Sequence, residues 1–125
     1  MKNKTRIVNL TQHDASVEQK EGGVFEPHQK EKVKSCLTFS SLPDREEIQK
    51  RALRLAQIAE SEKVDSAMIG GAPYLMSALE EALIKKGINP LYAFSKRESI
   101  EKTLPDGGVE KTQVFRHLGF VEVKK

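Results

Sequence analysis

The chain has 125 residues, 38 % hydrophobic and 31 % charged, with a formal net charge of +3. That length supports one core in a single domain over residues 1–125 rather than two. The mild charge argues against a duplex-DNA binder coated in Lys and Arg, yet it allows a local basic seat for a small anion.

No apolar run approaches the roughly 20 residues that a membrane helix needs. The opening Met1-Lys2-Asn3-Lys4-Thr5-Arg6 is basic and carries no apolar leader segment. The lone cysteine, Cys36, allows no intrachain disulfide, and together these features point to a cytoplasmic setting. Its apolar neighbours suit Cys36 to packing.

Arg6 to Leu10 reads as a first strand, followed by the polar loop Thr11-Gln12-His13-Asp14-Ala15-Ser16. Val17 to Glu21 forms a short helical turn that Gly22-Gly23 stops. Val24-Phe25 is briefly extended, and Pro27 suits the first turn of a helix running to about Lys34 or Ser35. Leu37-Thr38-Phe39 is a short apolar piece. Ser41-Leu42-Pro43-Asp44 then supplies a cap, an early proline and an acid. Ile48, Ala52, Leu55, Ala56 and Ala59 recur behind it at helical spacing, with a charged face opposite that reads as solvated.

Ser66-Ala67-Met68-Ile69 is a short buried strand. Gly70-Gly71-Ala72-Pro73 ends it and opens a second helix, whose apolar stripe is Leu75, Met76, Leu79, Ala82 and Leu83. Gly87 stops that helix after Lys85-Lys86. Asn89 to Ser95 is the next strand. Ser99 to Leu104 and Val109 to Phe115 flank Pro105-Asp106-Gly107-Gly108, a hairpin signal, and Arg116 to Val123 reads as a further strand.

Strands alternating with helices predict an α/β, Rossmann-like domain: a central, mostly parallel sheet flanked by helices, with a C-terminal antiparallel hairpin. The dinucleotide fingerprint is missing. His13, His28 and His117 lie far apart, and no spacing for a metal site, P-loop or nucleophile elbow occurs, so neither metal nor cofactor is expected.

Three loops carry chemistry. Gly70-Gly71-Ala72 ends a strand where a helix begins, a place where backbone amides and the helix dipole meet anions; a plain tight turn needs the same residues. Thr11-Gln12-His13 brings a hydroxyl, an amide and an imidazole together, either to contact a ligand or to cap the next helix. Ser95-Lys96-Arg97-Glu98 places a compact cation beside a guanidinium fork, suited to phosphate, or else is a solvated strand end. His117, between Phe115 and Phe120, is placed to pack beneath that loop, as a catalyst or as a core residue.

Gly87-Ile88-Asn89-Pro90-Leu91-Tyr92, Lys96-Arg97-Glu98, Asp106-Gly107 and Phe115-Arg116-His117-Leu118-Gly119-Phe120 together resemble the C-terminal half of the small, stand-alone, CARF-like ring nucleases associated with CRISPR. The likeness covers about residues 65–123. Thr11-Gln12-His13-Asp14-Ala15 is similar to the T-R-H-x-x-A opening of another small ring-nuclease family. The resemblance implies a homodimer that binds a cyclic oligoadenylate, most often cyclic tetra-adenylate, across its two-fold axis and so switches off type III CRISPR signalling in antiviral defence.

Under that likeness Lys96 and Arg97 contact phosphate and Gly70-Gly71 cradles the backbone. His117 takes the F-x-H position. The chemistry expected is metal-independent: a ribose 2′-OH attacks the adjacent phosphorus, the 5′-oxygen leaves, and a 2′,3′-cyclic phosphate remains. Lys96 stabilises charge and His13 or His117 moves the proton. A non-catalytic sponge or sensor would use the same basic loop. A nucleoside-processing enzyme of the deoxyribosyltransferase-like kind would need a carboxylate nucleophile, for which Asp14 and Glu98 are the candidates.

Overall fold

The computed structural model describes residues 5–123, so the basic stretch Met1-Lys2-Asn3-Lys4 lies outside the described residues. Nine elements follow one another: β1 (Ile7–Leu10), α1 (Val17–Glu21), β2 (Val24–Phe25), α2 (Lys30–Leu37), α3 (Arg45–Ser61), β3 (Ser66–Ile69), α4 (Pro73–Lys85), β4 (Asn89–Thr103) and β5 (Val109–Glu122). The strands form one sheet in the order β2-β1-β3-β4-β5. The first four run parallel and β5 closes the row antiparallel to β4. The α/β class, the mostly parallel sheet and the terminal hairpin are as the sequence predicts.

β1 and β3 are buried along their whole length, as strands covered on both faces must be. Alternation sends Val8, Leu10, Ala67 and Ile69 to one face, where Val33 and Leu37 of α2, Leu55 of α3 and Leu75, Leu79 and Leu83 of α4 pack on them. Each fully buried leucine contributes about 2–3 kcal/mol by area. Ile7, Met68 and Leu91 point to the other face, under Ala15, Val24 and Phe120.

Helix starts depart from expectation in two places. Pro27 precedes α2 rather than opening it: the helix starts at Lys30 after the Gln29 N-cap, and the His28 amide before it donates to the Glu62 carboxylate (2.7 Å). Asp44, rather than a serine, caps α3, accepting from the Glu47 amide at 2.8 Å. The largest departure is at the C-terminus. The sequence suggests a strand ending at Ser95, a separate hairpin and a last strand. The protein has one long ribbon, paired from Leu91↔Glu122 to Thr103↔Val109 with an irregularity at Phe94/Ser95. Its exposed faces tolerate charge at any position, so the cluster at Lys96 does not break the strand.

Candidate functional site

β1 lies between β2 and β3: the chain runs from β1 out to β2 and then crosses back over β1 to β3, so the strand order reverses there. In open α/β sheets the crevice beyond the carboxyl ends at such a switch point is where ligands bind. A cavity of about 550 Å³ lies there, lined by Thr11, Gln12, His13 and Asp14 after β1, Gly70, Gly71 and Ala72 after β3, and Tyr92 and Ala93 of β4. The first two loops of the sequence reading therefore share one cavity.

The β1 loop is held from beneath by a network that the sequence reading missed. Asn9, fully buried, donates to the His13 carbonyl (2.7 Å) and to Glu26 Oε1 (3.0 Å). Lys30 Nζ donates to the Thr11 and His13 carbonyls and to Glu26, at 3.1, 3.2 and 2.8 Å. The second Glu26 oxygen accepts from the Ala15 amide at 2.8 Å. Burial alone would raise the Glu26 pKa, but the bonds from Lys30, Ala15 and Asn9 outweigh it and hold the carboxyl below its ordinary 4.5. Ser16 and Gln19 then close a capping box at the start of α1. With its carbonyls tied inward, the loop leaves the Gln12, His13 and Asp14 side chains exposed at the cavity. Gln12 reaches Thr38 Oγ1 at 2.9 Å, which links the loop to the end of α2.

The glycine turn adjoins this loop: a Cβ at Gly70 would sit 3.7 Å from Thr11 Cγ2. Gly71 has φ +153°, a conformation that disfavours any side chain. Ala72 is the N-cap of α4 and offers no side-chain cap, and Pro73 occupies the first turn. The positive end of the α4 dipole thus faces the cavity with backbone groups only.

Ser95, Lys96, Arg97, Glu98 and His117 stand apart from the residues lining the cavity, out along the β4–β5 ribbon. The Arg97 guanidinium lies 5.2 Å from the Phe115 ring centroid. Glu98 accepts from Arg116 at 3.0 Å. The His117 ring meets Phe120 edge-on at 4.8 Å, and its buried Nδ1 has no hydrogen-bond partner among the described residues. Lys96 sits directly opposite Arg116. The β4 residues that reach the cavity are Tyr92 and Ala93, just before the basic run. The Tyr92 hydroxyl donates to Glu80 at 2.6 Å, and burial together with that carboxylate pushes its pKa up. Cys36 is buried, and burial raises its thiol pKa despite Arg54 and Arg51 nearby, in keeping with a packing role.

Asn9 was legible as a polar residue inside a four-residue apolar strand, and Glu26 with Lys30 as an acid and a base four apart. Nothing local marks Tyr92 or Arg116. Among the described residues no three His, Cys, Asp or Glu side chains gather as metal ligands, and no helix is long and apolar enough to cross a membrane.

Sheet order, switch-point cavity and glycine turn define an open-sheet α/β domain with a polar cavity at its carboxyl rim. The chain belongs to the family described as Uncharacterized protein MJ1673, whose model matches residues 5–121. No curated protein and no solved structure matches it.

Proposed function

We propose that this chain is a homodimeric ring nuclease that binds and opens a cyclic oligoadenylate, cyclic tetra-adenylate foremost, and thereby ends type III CRISPR signalling. The observation that carries the reading is the meeting of the His13 loop and the Gly70-Gly71 turn over one cavity at the β1/β3 switch point. The resemblance over residues 65–123 supplies the ligand class. A two-fold cyclic ligand calls for a symmetric pair of sites, hence two copies.

In this reading the Gly70-Gly71 backbone and the start of α4 hold a bridging phosphate. The ribose 2′-OH loses its proton to a base and attacks that phosphorus. The bond to the 5′-oxygen breaks, and the departing oxygen takes a proton from an acid. His13, exposed at the cavity edge, is the group placed to move a proton there. Holding the 2′-OH in line with the leaving oxygen supplies about 7 kcal/mol or more of the acceleration.

Mass spectrometry of cyclic tetra-adenylate incubated with the protein in EDTA tests this. The expected products are linear fragments ending in 2′,3′-cyclic phosphate, lost in His13→Ala. An intact ring together with a ligand-dependent rise in melting temperature would make the protein a sponge or sensor instead. An intact ring with no change in melting temperature would overturn the nucleotide reading.

A further inference from the structure

A second cavity adjoins the one at the switch point, and its lining is different. It holds about 550 Å³ and is bounded by the loop from Phe39 to Pro43, by Ile48 of α3 and by Tyr74 of α4. Among the described residues no charged side chain lines it. One strip of chain separates the two cavities. Leu37 lines the first, Phe39 lines the second, and Thr38 between them accepts from Gln12 of the first at 2.9 Å. α4 repeats the relation: Ala72 lines the first cavity and Tyr74, two residues on, lines the second.

The wall of the second cavity is aromatic and fixed on one side. Phe39 and Tyr74 meet edge to face, with ring centroids 5.3 Å apart and planes at 64°. The Arg51 guanidinium lies over the Phe39 ring at 4.2 Å, donates to the Thr38 carbonyl, and is held in turn by Glu47 at 2.7 Å. Phe39 also packs on the core. Tyr74 remains 53 % exposed and Leu42 97 % exposed. Large apolar side chains left open around a fixed aromatic pair suit a flat, uncharged ring, which stacks on such a wall or meets it edge-on. The Ser40 and Ser41 hydroxyls border the same space and can bond the edge of that ring.

The two cavities thus select different groups. The glycine turn and the start of α4 favour an anion. The pocket beside them favours an aromatic ring. Two helical residues advance only about 3 Å along the axis, so both groups belong to one small molecule. An anion joined to a flat heterocycle through a short hydroxyl-bearing linker is a nucleotide.

We propose that the Phe39–Tyr74 pocket is the base subsite of a nucleotide whose phosphate lies at the Gly70-Gly71 turn, with Tyr74 as the ring on which the base stacks. The proposal rests on the phosphate reading of the switch-point cavity, but on neither cleavage nor a cyclic ligand.

Nuclear magnetic resonance titration of the full chain, to millimolar probe, tests it. The probes are adenosine 5′-monophosphate and ribose 5-phosphate, which share a phosphate and differ in the base. Both should shift the Gly70 and Gly71 amides, and only the adenosine nucleotide should move the Tyr74 ring resonances. Tyr74→Ala should weaken the nucleotide by about fivefold or more and leave ribose 5-phosphate unchanged, whereas Tyr74→Phe should keep both affinities. Glycine shifts with a silent Tyr74 ring would overturn the base subsite and leave the phosphate reading standing. Equal weakening of both probes in Tyr74→Ala would make Tyr74 a support for the turn and overturn the proposal too. Silent glycine amides with both probes would remove the phosphate reading, and the subsite with it.

Discussion

Asn9 holds Thr11 by two groups at once: its Oδ1 accepts from the Thr11 amide at 2.9 Å and from the Thr11 hydroxyl at 2.6 Å. A buried strand thus sets the conformation of the loop beyond it, and the exposed His13 rests on a fixed backbone. Replacing Asn9 by Leu fills the space but leaves those donors without their acceptor in a dry place. Stability should fall by roughly 2–3 kcal/mol, read as a lower urea midpoint with the slope unchanged. A loss under half a kcal/mol would mean that the loop holds itself.

Glu26 gives the same network a pH dependence. Its folded pKa lies below the ordinary 4.5, because the bonds from Lys30, Ala15 and Asn9 outweigh the cost of burial. A depressed carboxyl stabilises the fold above its unfolded pKa and loses that contribution as pH falls through the folded value. Thermal stability should therefore decline below about pH 4.5, and Glu26→Gln should be less stable at pH 7 with a flatter acid limb. Parallel acid limbs for the two proteins would assign the decline to other carboxylates.

The two glycines of the turn should separate in their effects. Gly71 has φ +153°, which strains any side chain, so Gly71→Ala should cost roughly 1–3 kcal/mol even though its Cβ would make only ordinary contacts with Met76 and Leu37 at 3.5 and 3.6 Å. A Cβ at Gly70 makes only an ordinary contact with Thr11, and Gly70→Ala should fold normally. It does add bulk at the cavity wall, where the proposed ligand would lie. A melting temperature near wild type with weakened nucleotide binding is the expected result for Gly70→Ala; unweakened binding would remove the turn from the site.

What could be read in the sequence follows the range of the interactions. α3 and α4 were legible because their apolar stripes and end signals lie within a few residues, and the short buried strands because runs such as Ser66-Ala67-Met68-Ile69 sit between breakers. The ribbon was not. Its length is set by pairing between residues such as Glu98 and Val114, a relation no local pattern encodes. The same limit governs the site. Thr11 and Gly70 were placed together by fold class alone, whereas Lys96 follows Ala93 by only three residues and still leaves the cavity, because β4 continues straight past the rim.

Tyr92 is a probe of the cavity wall. Burial and Glu80 favour the neutral phenol, which raises its pKa above the ordinary 10. The stabilisation is complete below pH 10 and is lost as pH rises above it. In Tyr74→Phe, where Tyr92 is the only tyrosine, phenolate absorbance at 295 nm should appear late and together with unfolding. Ionisation near pH 10 in a folded protein would show the hydroxyl free of Glu80.

Lys96 joins the electrostatics of the ribbon to the proposed chemistry. It faces Arg116 across the pair, like charge on like, and Glu98 takes up only Arg116. Directly opposed like charges destabilise a strand pair, and a ligand phosphate that reached from the cavity to Lys96, as the resemblance implies, would relieve them. Removing the charge should then have opposite effects on fold and function. Lys96→Ala should melt no lower than wild type in the absence of ligand, yet bind cyclic tetra-adenylate more weakly, with a shallower dependence on salt, and cleave it far more slowly. Lys96→Arg should recover binding by restoring the charge. If Lys96→Ala turns over labelled ring at the wild-type rate, the ribbon cations do not serve the phosphate, and the glycine turn with the α4 terminus would have to hold it alone.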